Sequence, residues 1–313
     1  MTLFGLKNLK VSTANNFTSP MKMKLRKVIN KPLRKVLRTF DGKKVLIEGR
    51  ELLDKNEQYI FSSSHYFTED IQIAIGSLDR NAWALIGTTN QLEHNPKIYA
   101  AWLNGMIYVD RLDENSRKES VLKMEYILNH GGNILIFPEG GWNNTENLLI
   151  NPLFAGPYKV SVATGKKVVP LVVYNGEENR VYVKFGEPIP LYNYEKEEAL
   201  TILRDSMGSL MYELIEKYSK PLCRGSLEGD FHLQFMEDRK NEYLKNKWTE
   251  DSWDEELTVY KSKDITTPQE VRASLDGVVI TKDNAAIFAP TLVKRLKDQK
   301  YDFKSYMHKN WRR

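Results

Sequence analysis

Residues 58–78 read QYIFSSSHYFTEDIQIAIGSL, an apolar segment followed by polar residues and then a second apolar segment. The first part, Gln58 to Ser63, predicts a strand, and the last part, Glu69 to Leu78, predicts a helix. His65 follows the predicted strand closely, and Asp70 lies in the first turn of the predicted helix. This unit predicts an α/β fold with polar side chains at a strand end.

The alternation of short apolar runs and longer amphipathic runs continues beyond this unit. Further strands are predicted over Ala82 to Gly87, Met106 to Val109, Asn133 to Phe137, Val168 to Tyr174 and Val181 to Phe185. Further helices are predicted over Pro96 to Leu103, Ser116 to Asn129, Tyr158 to Ala163 and Glu195 to Tyr218. The pattern predicts a mixed, largely parallel central sheet flanked by helices.

Composition divides the chain into three parts. Residues 1–44 form a basic amphipathic arm, residues 45–220 the α/β domain, and residues 221–313 a mostly helical extension whose role the sequence does not reveal. Helices in the extension are predicted over Phe231 to Asn246, Pro268 to Leu275 and Pro290 to Gln299.

The arm concentrates positive charge. Residues 1–50 hold 13 Lys or Arg against Asp41 and Glu48, whereas the whole chain carries a net charge of only +5. Within residues 21–40, apolar residues recur in helical steps of three and four, at Met21, Leu25, Val28, Ile29, Leu33, Val36, Leu37 and Phe40. Pro32 lacks an N–H and is predicted to split this segment into two short helices.

Two locations for this stripe follow from the pattern. A basic amphipathic helix can lie in an anionic membrane interface, so residues 21–40 are predicted to bind such a surface. The alternative is that the stripe packs on the body of the protein and the charges are solvated. Nucleic acid is disfavoured as a partner, because the arm interleaves no aromatic side chains for base stacking.

The spacing of His65 and Asp70 permits acid–base chemistry. A carboxylate five residues after a histidine can fold back across the turn and bond to one ring nitrogen. That bond would fix the tautomer and leave the other nitrogen as a general base. The alternative is a structural hydrogen bond without a catalytic role.

Two further segments place polar residues after predicted strands. Gly105 to Arg111 ends in an arginine, whose planar fork of donors suits phosphate oxygens; the alternative is a surface ion pair with Asp110 or Asp113. Ile134 to Trp142, ILIFPEGGW, runs from a strand into a proline, a carboxylate and two glycines. The glycines allow tight turns and the close approach of a ligand.

These segments, together with a fourth around Pro170, resemble in order and spacing the motif set of the glycerolipid acyltransferase family. The resemblance covers roughly residues 45–190, and Phe137 to Gly140 carries its most specific element. It implies transfer of an acyl group from acyl-CoA or acyl carrier protein to a hydroxyl of a lysophospholipid in phospholipid biosynthesis. The expected acceptor is 1-acyl-glycerol-3-phosphate. It implies no metal and no cofactor besides the acyl thioester co-substrate.

By motif match, the resemblance also implies roles for individual residues. His65 would be the general base, and Asp70 its partner. Gly105 and Arg111 would lie in the acceptor phosphate site, Glu139 and Gly140 would help to bind the acceptor, and Pro170 would support the acyl-donor side. Trp142 lies outside the motif match: it could stack on an acyl chain or headgroup, and the alternative is an aromatic side chain packed within the protein.

Two positions depart from the family pattern. Ser64 stands where the family usually has Asn, and Gly141-Trp142 stand where many members carry Thr/Ser-Arg. The acceptor could therefore be less centred on phosphate, or a nearby cation could substitute, with Lys159, Arg117 and Lys118 as candidates. Two alternatives stay open: an O-acyltransferase of the same family with a non-phosphate acceptor, and a catalytically silent lipid-binding homologue.

Other sequence features bear on location and metal binding. The chain has one cysteine, Cys223, and no apolar run of the ~20 residues that a membrane span needs. Its first residues lack the apolar core of a secretory signal. The remaining histidines form no ligand cluster with Cys223. These features predict a cytoplasmic protein, peripherally associated with the inner membrane face.

Overall fold

The computed structural model describes residues 12–39, 42–67, 69–87, 102–111, 113–145, 148–220, 231–245 and 253. Side chains of residues 34–39, 231 and 232 are left undescribed. The chain divides into two compact units, Met1–Lys261 and Ser262–Arg313, and every described residue belongs to the first. The helices predicted over 268–275 and 290–299 lie outside the described residues, as does the predicted 96–103 helix before residue 102.

The described residues form a sheet with helices on its faces. The strands are β1 (Lys44–Glu48), β2 (Ile60–Ser63), β3 (Ala82–Gly87), β4 (Met106–Val109), β5 (Asn133–Ile136), β6 (Val168–Asn175) and β7 (Arg180–Phe185). The helices are α1 (Pro20–Thr39), α2 (Asp70–Ser77), α3 (Glu114–Asn129), α4 (Gly156–Thr164), α5 (Lys196–Tyr218) and α6 (Phe231–Lys245). Short 3₁₀ turns occur at Arg50–Leu52 and Leu191–Asn193.

The sheet has seven strands in the order β1-β7-β6-β2-β5-β3-β4. All neighbours pair in parallel except β6 and β7, which form an antiparallel pair. The predicted fold class, a mixed and largely parallel sheet flanked by helices, is therefore confirmed. The sequence reasoning missed β1, which pairs with β7 at the sheet edge, Lys44 opposite Arg180.

Alternating side chains build one core on each face of the sheet. Ile60 and Ile134 join the core beneath α3 and α5, whereas Phe61 and Leu135 join the core beneath α2. Successive residues of a strand point to opposite faces, so a central strand covered on both sides is mostly apolar, and in β2 only Ser62 and Ser63 are polar. This accounts for the apolar runs at β4 and β5.

The parallel pairing brings functional candidates to one edge. Strands β2, β3, β4 and β5 run in the same direction, so their carboxyl ends meet at one edge of the sheet. His65 follows β2, Arg111 follows β4 and Glu139 follows β5. Open α/β sheets bind ligands at this edge.

The arm is one continuous helix, so the prediction that Pro32 splits it is wrong. The preceding turns are fastened to the body by tertiary contacts. The Arg26 guanidinium donates to the Leu103 carbonyl at 3.0 Å, and the Asn30 amide donates to the Asn104 side chain. The N–H that Pro32 lacks would have bonded the Val28 carbonyl, and both residues are exposed, so water can satisfy that carbonyl.

The apolar stripe of the arm faces away from the body over residues 21–29. Met21 is 81% exposed, Leu25 60% and Val28 72%, while Met23 and Asn30 are buried on the opposite side. The alternative in which this part of the stripe packs on the body is not what the structure shows. Val36, Leu37 and Phe40 lie outside the described side chains. None of the described helices is long and apolar enough to cross a membrane.

Candidate active site

A histidine and an aspartate are held together at the carboxyl edge of the sheet. The His65 Nδ1 atom lies 3.0 Å from both Asp70 carboxylate oxygens. Strand β2 ends at Ser63 and α2 begins at Asp70, so the intervening turn folds the carboxylate back over the imidazole. Because a carboxylate accepts at this position, Nδ1 carries the proton and Nε2 carries the lone pair.

The Asp70 side chain is oriented by backbone donors. It is fully buried, and its Oδ2 atom accepts from the N–H groups of Tyr66 at 2.8 Å and Phe67 at 3.2 Å. These bonds leave the carboxylate little rotational freedom. Asp70 is thus fixed in place by the same turn that carries His65.

Glu139 braces the backbone of this turn. Its carboxylate is 1% exposed, and Oε1 accepts from the His65 N–H at 2.9 Å while Oε2 accepts from the Asn151 N–H at 2.8 Å. Burial raises the pKa of Glu139 to about 7, and the two backbone bonds oppose that rise. Both oxygens therefore bond to the protein itself, whereas the family resemblance implied a contact with the acceptor.

Two more residues tie the turn to its neighbours. The Ser64 hydroxyl accepts from the Val173 N–H at 3.0 Å, which fixes the end of β2 to β6. The Asn143 N–H donates to the His65 carbonyl at 2.8 Å. The backbone of His65 is thus held on both sides. Sequence reasoning missed Asn143, and its only signal was its position just after the Phe137 to Gly140 motif.

Arg111 reaches the same motif from β4. Its Nη1 atom donates to the Gly140 carbonyl. Gly140 has a φ of +79°, and a Cβ atom there would lie 2.5 Å from the Phe154 ring, so this turn requires glycine. The structure brings Arg111 to the Gly140 turn, and Glu139 of the same turn bonds to His65.

Trp142 stands at the centre of an aromatic and cationic group. Its ring centroid lies 6.5 Å from that of His65 and 5.6 Å from that of Tyr243, both edge to face. The Arg239 Cζ atom lies 4.6 Å from the Trp142 ring centroid. Tyr243 and Arg239 come from α6, in a part of the chain where sequence reasoning found no chemistry.

Two predicted site residues lie elsewhere. Gly105 precedes β4 and so stands at the opposite, amino-terminal edge of the sheet, where a φ of +119° lets its backbone pass against the Trp83 ring. Pro170 is buried within β6, where its ring lies against Gly186. Their predicted ligand contacts, with the acceptor phosphate and on the acyl-donor side, are not supported by these positions.

The three proposed substitute cations are not assembled at the site either. Lys118 forms an exposed ion pair with Glu114, one helical turn away, at 2.8 Å. Lys159 is exposed on α4, and Arg117 donates to the Arg111 carbonyl at 2.6 Å, which supports the Arg111 backbone. The guanidinium that lies against Trp142 is that of Arg239.

A mostly parallel sheet with a histidine–aspartate pair and a Pro-Glu-Gly turn at its carboxyl edge defines an acyltransferase-type α/β domain. Residues 44–174 match the family model described as Acyltransferase. The chain is 25% identical to a 1-acyl-sn-glycerol-3-phosphate acyltransferase from Borreliella burgdorferi, over 53% of this chain and 71% of that protein. Over residues 44–174 the chain is thus similar to acyltransferases that act on glycerolipids.

A solved structure shares the fold. The crystal structure of PlsC, a 1-acyl-sn-glycerophosphate (LPA) acyltransferase from Thermotoga maritima, matches with a TM-score of 0.51 and 20% identity. The match covers 69% of this chain and 89% of the PlsC chain. At this identity the likeness concerns the arrangement of helices and strands.

Proposed function

We propose that the protein transfers a fatty acyl group from acyl-CoA or acyl carrier protein to a hydroxyl of a lysophospholipid, with 1-acyl-glycerol-3-phosphate as the favoured acceptor. The observation that carries this proposal is the contact of His65 Nδ1 with both Asp70 oxygens at 3.0 Å. It supplies an oriented base at the sheet edge where ligands bind. The name of the Borreliella burgdorferi relative supports the acceptor.

The reaction follows from the tautomer. His65 Nε2 takes the proton of the acceptor hydroxyl while that oxygen attacks the thioester carbonyl carbon. Asp70 stabilises the imidazolium that forms, as an aspartate does in a catalytic triad. The tetrahedral intermediate then expels the thiolate, which takes the proton from His65. The acceptor is itself the nucleophile, so the proposed mechanism uses no acyl-enzyme and no resident cofactor.

Other residues of the site hold the base and the acceptor. Glu139 and Asn143 are positioning residues, because they bond to the His65 backbone rather than to a ligand. The Arg111 guanidinium lies beside the Gly140 turn, and we assign it to the acceptor phosphate because the planar fork of arginine suits phosphate oxygens.

Replacing the base tests the reaction. His65→Ala is expected to lower turnover by about 10²–10⁴-fold, the usual contribution of a general base. The rate of thiol release from acyl-CoA measures turnover, and mass spectrometry identifies the diacyl product. His130→Ala is the matched control, because His130 is exposed and its Nδ1 bonds only one helical turn back, to the Tyr126 carbonyl. Full activity of His65→Ala would exclude this mechanism, and no thiol release by the wild type would identify a silent lipid-binding homologue.

A non-phosphate acceptor is the second candidate. The observation that favours it is Trp142, an apolar ring beside His65 at a position where family members often carry arginine. Offering lysophosphatidate and neutral hydroxyl acceptors side by side separates the two. Turnover of lysophosphatidate alone would eliminate the second candidate, and turnover of neutral acceptors alone would eliminate the first.

The arm supports work at a membrane. Its exposed stripe, Met21, Leu25 and Val28, is flanked by exposed Lys22, Lys24, Lys27 and Lys31. An apolar face bordered by cations suits the interface of an anionic bilayer, where each basic residue contributes about 1 kcal/mol. Such a bilayer also stores the lipid acceptor. We infer a peripheral association of the protein with the cytoplasmic membrane face.

A further inference from the structure

Arg239 is a buried cation at the edge of the candidate site. Its side chain is 6% exposed and lies between two rings, 4.6 Å from the Trp142 centroid and 5.4 Å from the Phe235 centroid. Its Nε atom donates to the Asn144 side-chain oxygen at 3.2 Å. The two rings and Asn144 hold the guanidinium in one orientation.

The guanidinium is incompletely paired. Its Nη2 atom is buried and makes no hydrogen bond to any described residue. No described carboxylate forms an ion pair with Arg239, although Asp70 and Glu242 are near enough to act on it electrostatically. A buried cation with an unused donor is costly unless an anion meets it. An anionic ligand bound here would complete the pairing of the Arg239 guanidinium.

The location fits an anion on the acceptor. Trp142 touches both Arg239 and His65, so the guanidinium lies one aromatic ring away from the proposed base. Arg111 approaches the same segment at Gly140, two residues before Trp142. Two guanidinium groups thus flank one short loop beside His65. In a lysophosphatidate, the phosphate is attached to the carbon next to the one bearing the reactive hydroxyl.

Space beside Arg239 lets a ligand reach it. A cavity of about 380 Å³ opens between α6 and the turn that carries His65, and Arg239, Tyr66 and Phe67 line it. Three carboxylates, Glu69, Asp238 and Glu242, and a second cation, Lys43, also line the cavity, so its overall charge does not select an anion. Selection must come from direct bonds to the guanidinium, which arginine makes to phosphate in a fixed fork geometry.

We propose that Arg239, contributed by the C-terminal extension, binds the acceptor phosphate and so selects phosphorylated acceptors. This inference rests on the proposed function, because it assigns the phosphate of that acceptor. Arg239 is a specificity-determining residue and takes no part in the proton transfer. Its removal therefore affects acceptor binding more than the chemical step.

Substitutions at Arg239 test the assignment in the full-length protein. Arg239→Met keeps an unbranched apolar stem against Trp142 and removes the charge. It is expected to raise the KM for 1-acyl-glycerol-3-phosphate by about 10- to 100-fold, the range for loss of a charge-assisted bond. The kcat should change much less, and the KM for the matching 1-acyl-glycerol, which lacks the phosphate, should stay the same. Arg239→Lys should give an intermediate KM for the phosphorylated acceptor.

A second variant keeps Arg239 and pairs its charge with a carboxylate of the protein. Asn144→Asp would place a carboxylate at the atom that accepts from Arg239 Nε, and should raise the same KM. Lys245→Met is the matched control, since Lys245 is exposed on the same helix, and its KM should equal that of the wild type. Thermal unfolding midpoints verify that each variant is folded.

Binding measurements separate this inference from the proposed function. Titration calorimetry with lysophosphatidate and 1-acyl-glycerol needs no turnover. If the wild type binds lysophosphatidate through Arg239 but releases no thiol from acyl donors, the phosphate site stands and the acyltransferase proposal fails. If Arg239→Met is folded and weakens both acceptors equally, or neither, Arg239 is structural and this inference is overturned.

Discussion

At the scale of single residues, two buried carboxylates hold His65 through different atoms. Asp70 bonds to the imidazole and sets its tautomer, whereas Glu139 bonds to the backbone N–H. Asp70 therefore orients the imidazole directly, whereas Glu139 fixes the position of the His65 backbone. The same turn can keep its shape only while both acceptors are present. Loss of Glu139 should thus affect stability and turnover together.

The raised pKa of Glu139 predicts a dependence of stability on pH. Burial raises the pKa of its carboxyl from the ordinary value of 4.5 to about 7 in the folded protein. The folded state thus holds this proton more tightly, so the stability contributed is full below pH 4.5 and is lost as pH rises through 7. The total is about 3 kcal/mol, from about 1.36 kcal/mol for each pKa unit.

The variant Glu139→Gln removes this titration and tests it. Glutamine offers one acceptor oxygen, so its amide N–H₂ must face the N–H of either His65 or Asn151. The variant should be less stable than the wild type at pH 5, and the difference should narrow toward pH 8. Urea unfolding at pH 5 and at pH 8 measures the difference in the free energy of unfolding. Glu198→Gln, at an exposed position, is the control. Parallel pH profiles for Glu139→Gln and the wild type would refute the assignment.

At the scale of elements, α1 has a body-facing side and a side available for a surface. The double variant Leu25→Glu/Val28→Glu alters only exposed positions, so the protein should stay folded. It should bind vesicles containing phosphatidylglycerol at least about tenfold more weakly, because burial of two apolar side chains is lost. Wild-type binding should also fall with added salt. Cosedimentation measures both.

A matched control keeps the arm experiment specific. Leu233 is also exposed, at 64%, but lies on α6. Leu233→Glu adds an acidic side chain elsewhere and should leave vesicle binding unchanged. Equal, salt-insensitive binding by all three proteins would rule out an interfacial role for the stripe.

Local signals predicted most elements, and distant contacts account for the misses. The β5 strand was predicted to within one residue, because Pro138 marks its end. The β1 strand was missed because its partner Arg180 lies far along the chain from Lys44. The missing N–H of Pro32 is visible in the sequence, but the Arg26 and Asn30 contacts that hold the preceding turns are not.

In the candidate site, too, local contacts were predictable from the sequence and distant contacts were not. The contact of His65 with Asp70 was predictable, since five residues of turn suffice to close it. Glu139 was placed at the correct edge by its motif, but its backbone partners depend on how the loops fold back. Arg239 bonds to Asn144 from 95 residues away, so no local spacing could reveal it.

At the scale of the whole molecule, the candidate site extends beyond the domain that the motifs mark. Residues 45–220 were predicted to form the acyltransferase domain and residues 221–313 an extension without an assigned role. Yet α6 covers Trp142 with Arg239 and Tyr243, and Trp253 continues this aromatic group at 5.3 Å from Tyr243. The part of the extension that carries α6 and Trp253 belongs to the compact unit that ends at Lys261.

Two truncations follow from this arrangement. A chain ending at residue 261 keeps the whole first compact unit and serves as the reference for the shorter chain. A chain ending at residue 220 loses α6, which exposes Trp142 and removes Arg239. Its KM for lysophosphatidate should rise by about 10- to 100-fold, as in Arg239→Met, while its acylation of 1-acyl-glycerol is retained.

Circular dichroism and steady-state kinetics with both acceptors measure these outcomes. If the chain ending at 220 is folded and keeps the wild-type KM for lysophosphatidate, α6 lies outside the acceptor site. If it is unfolded, residues 45–220 are not an independent domain. The packing of α6 on Trp142 is then required for the sheet to fold. If selectivity for lysophosphatidate over 1-acyl-glycerol falls only when the chain is cut before α6, the extension determines which acceptor binds. The residues at the sheet edge then carry out the proton transfer.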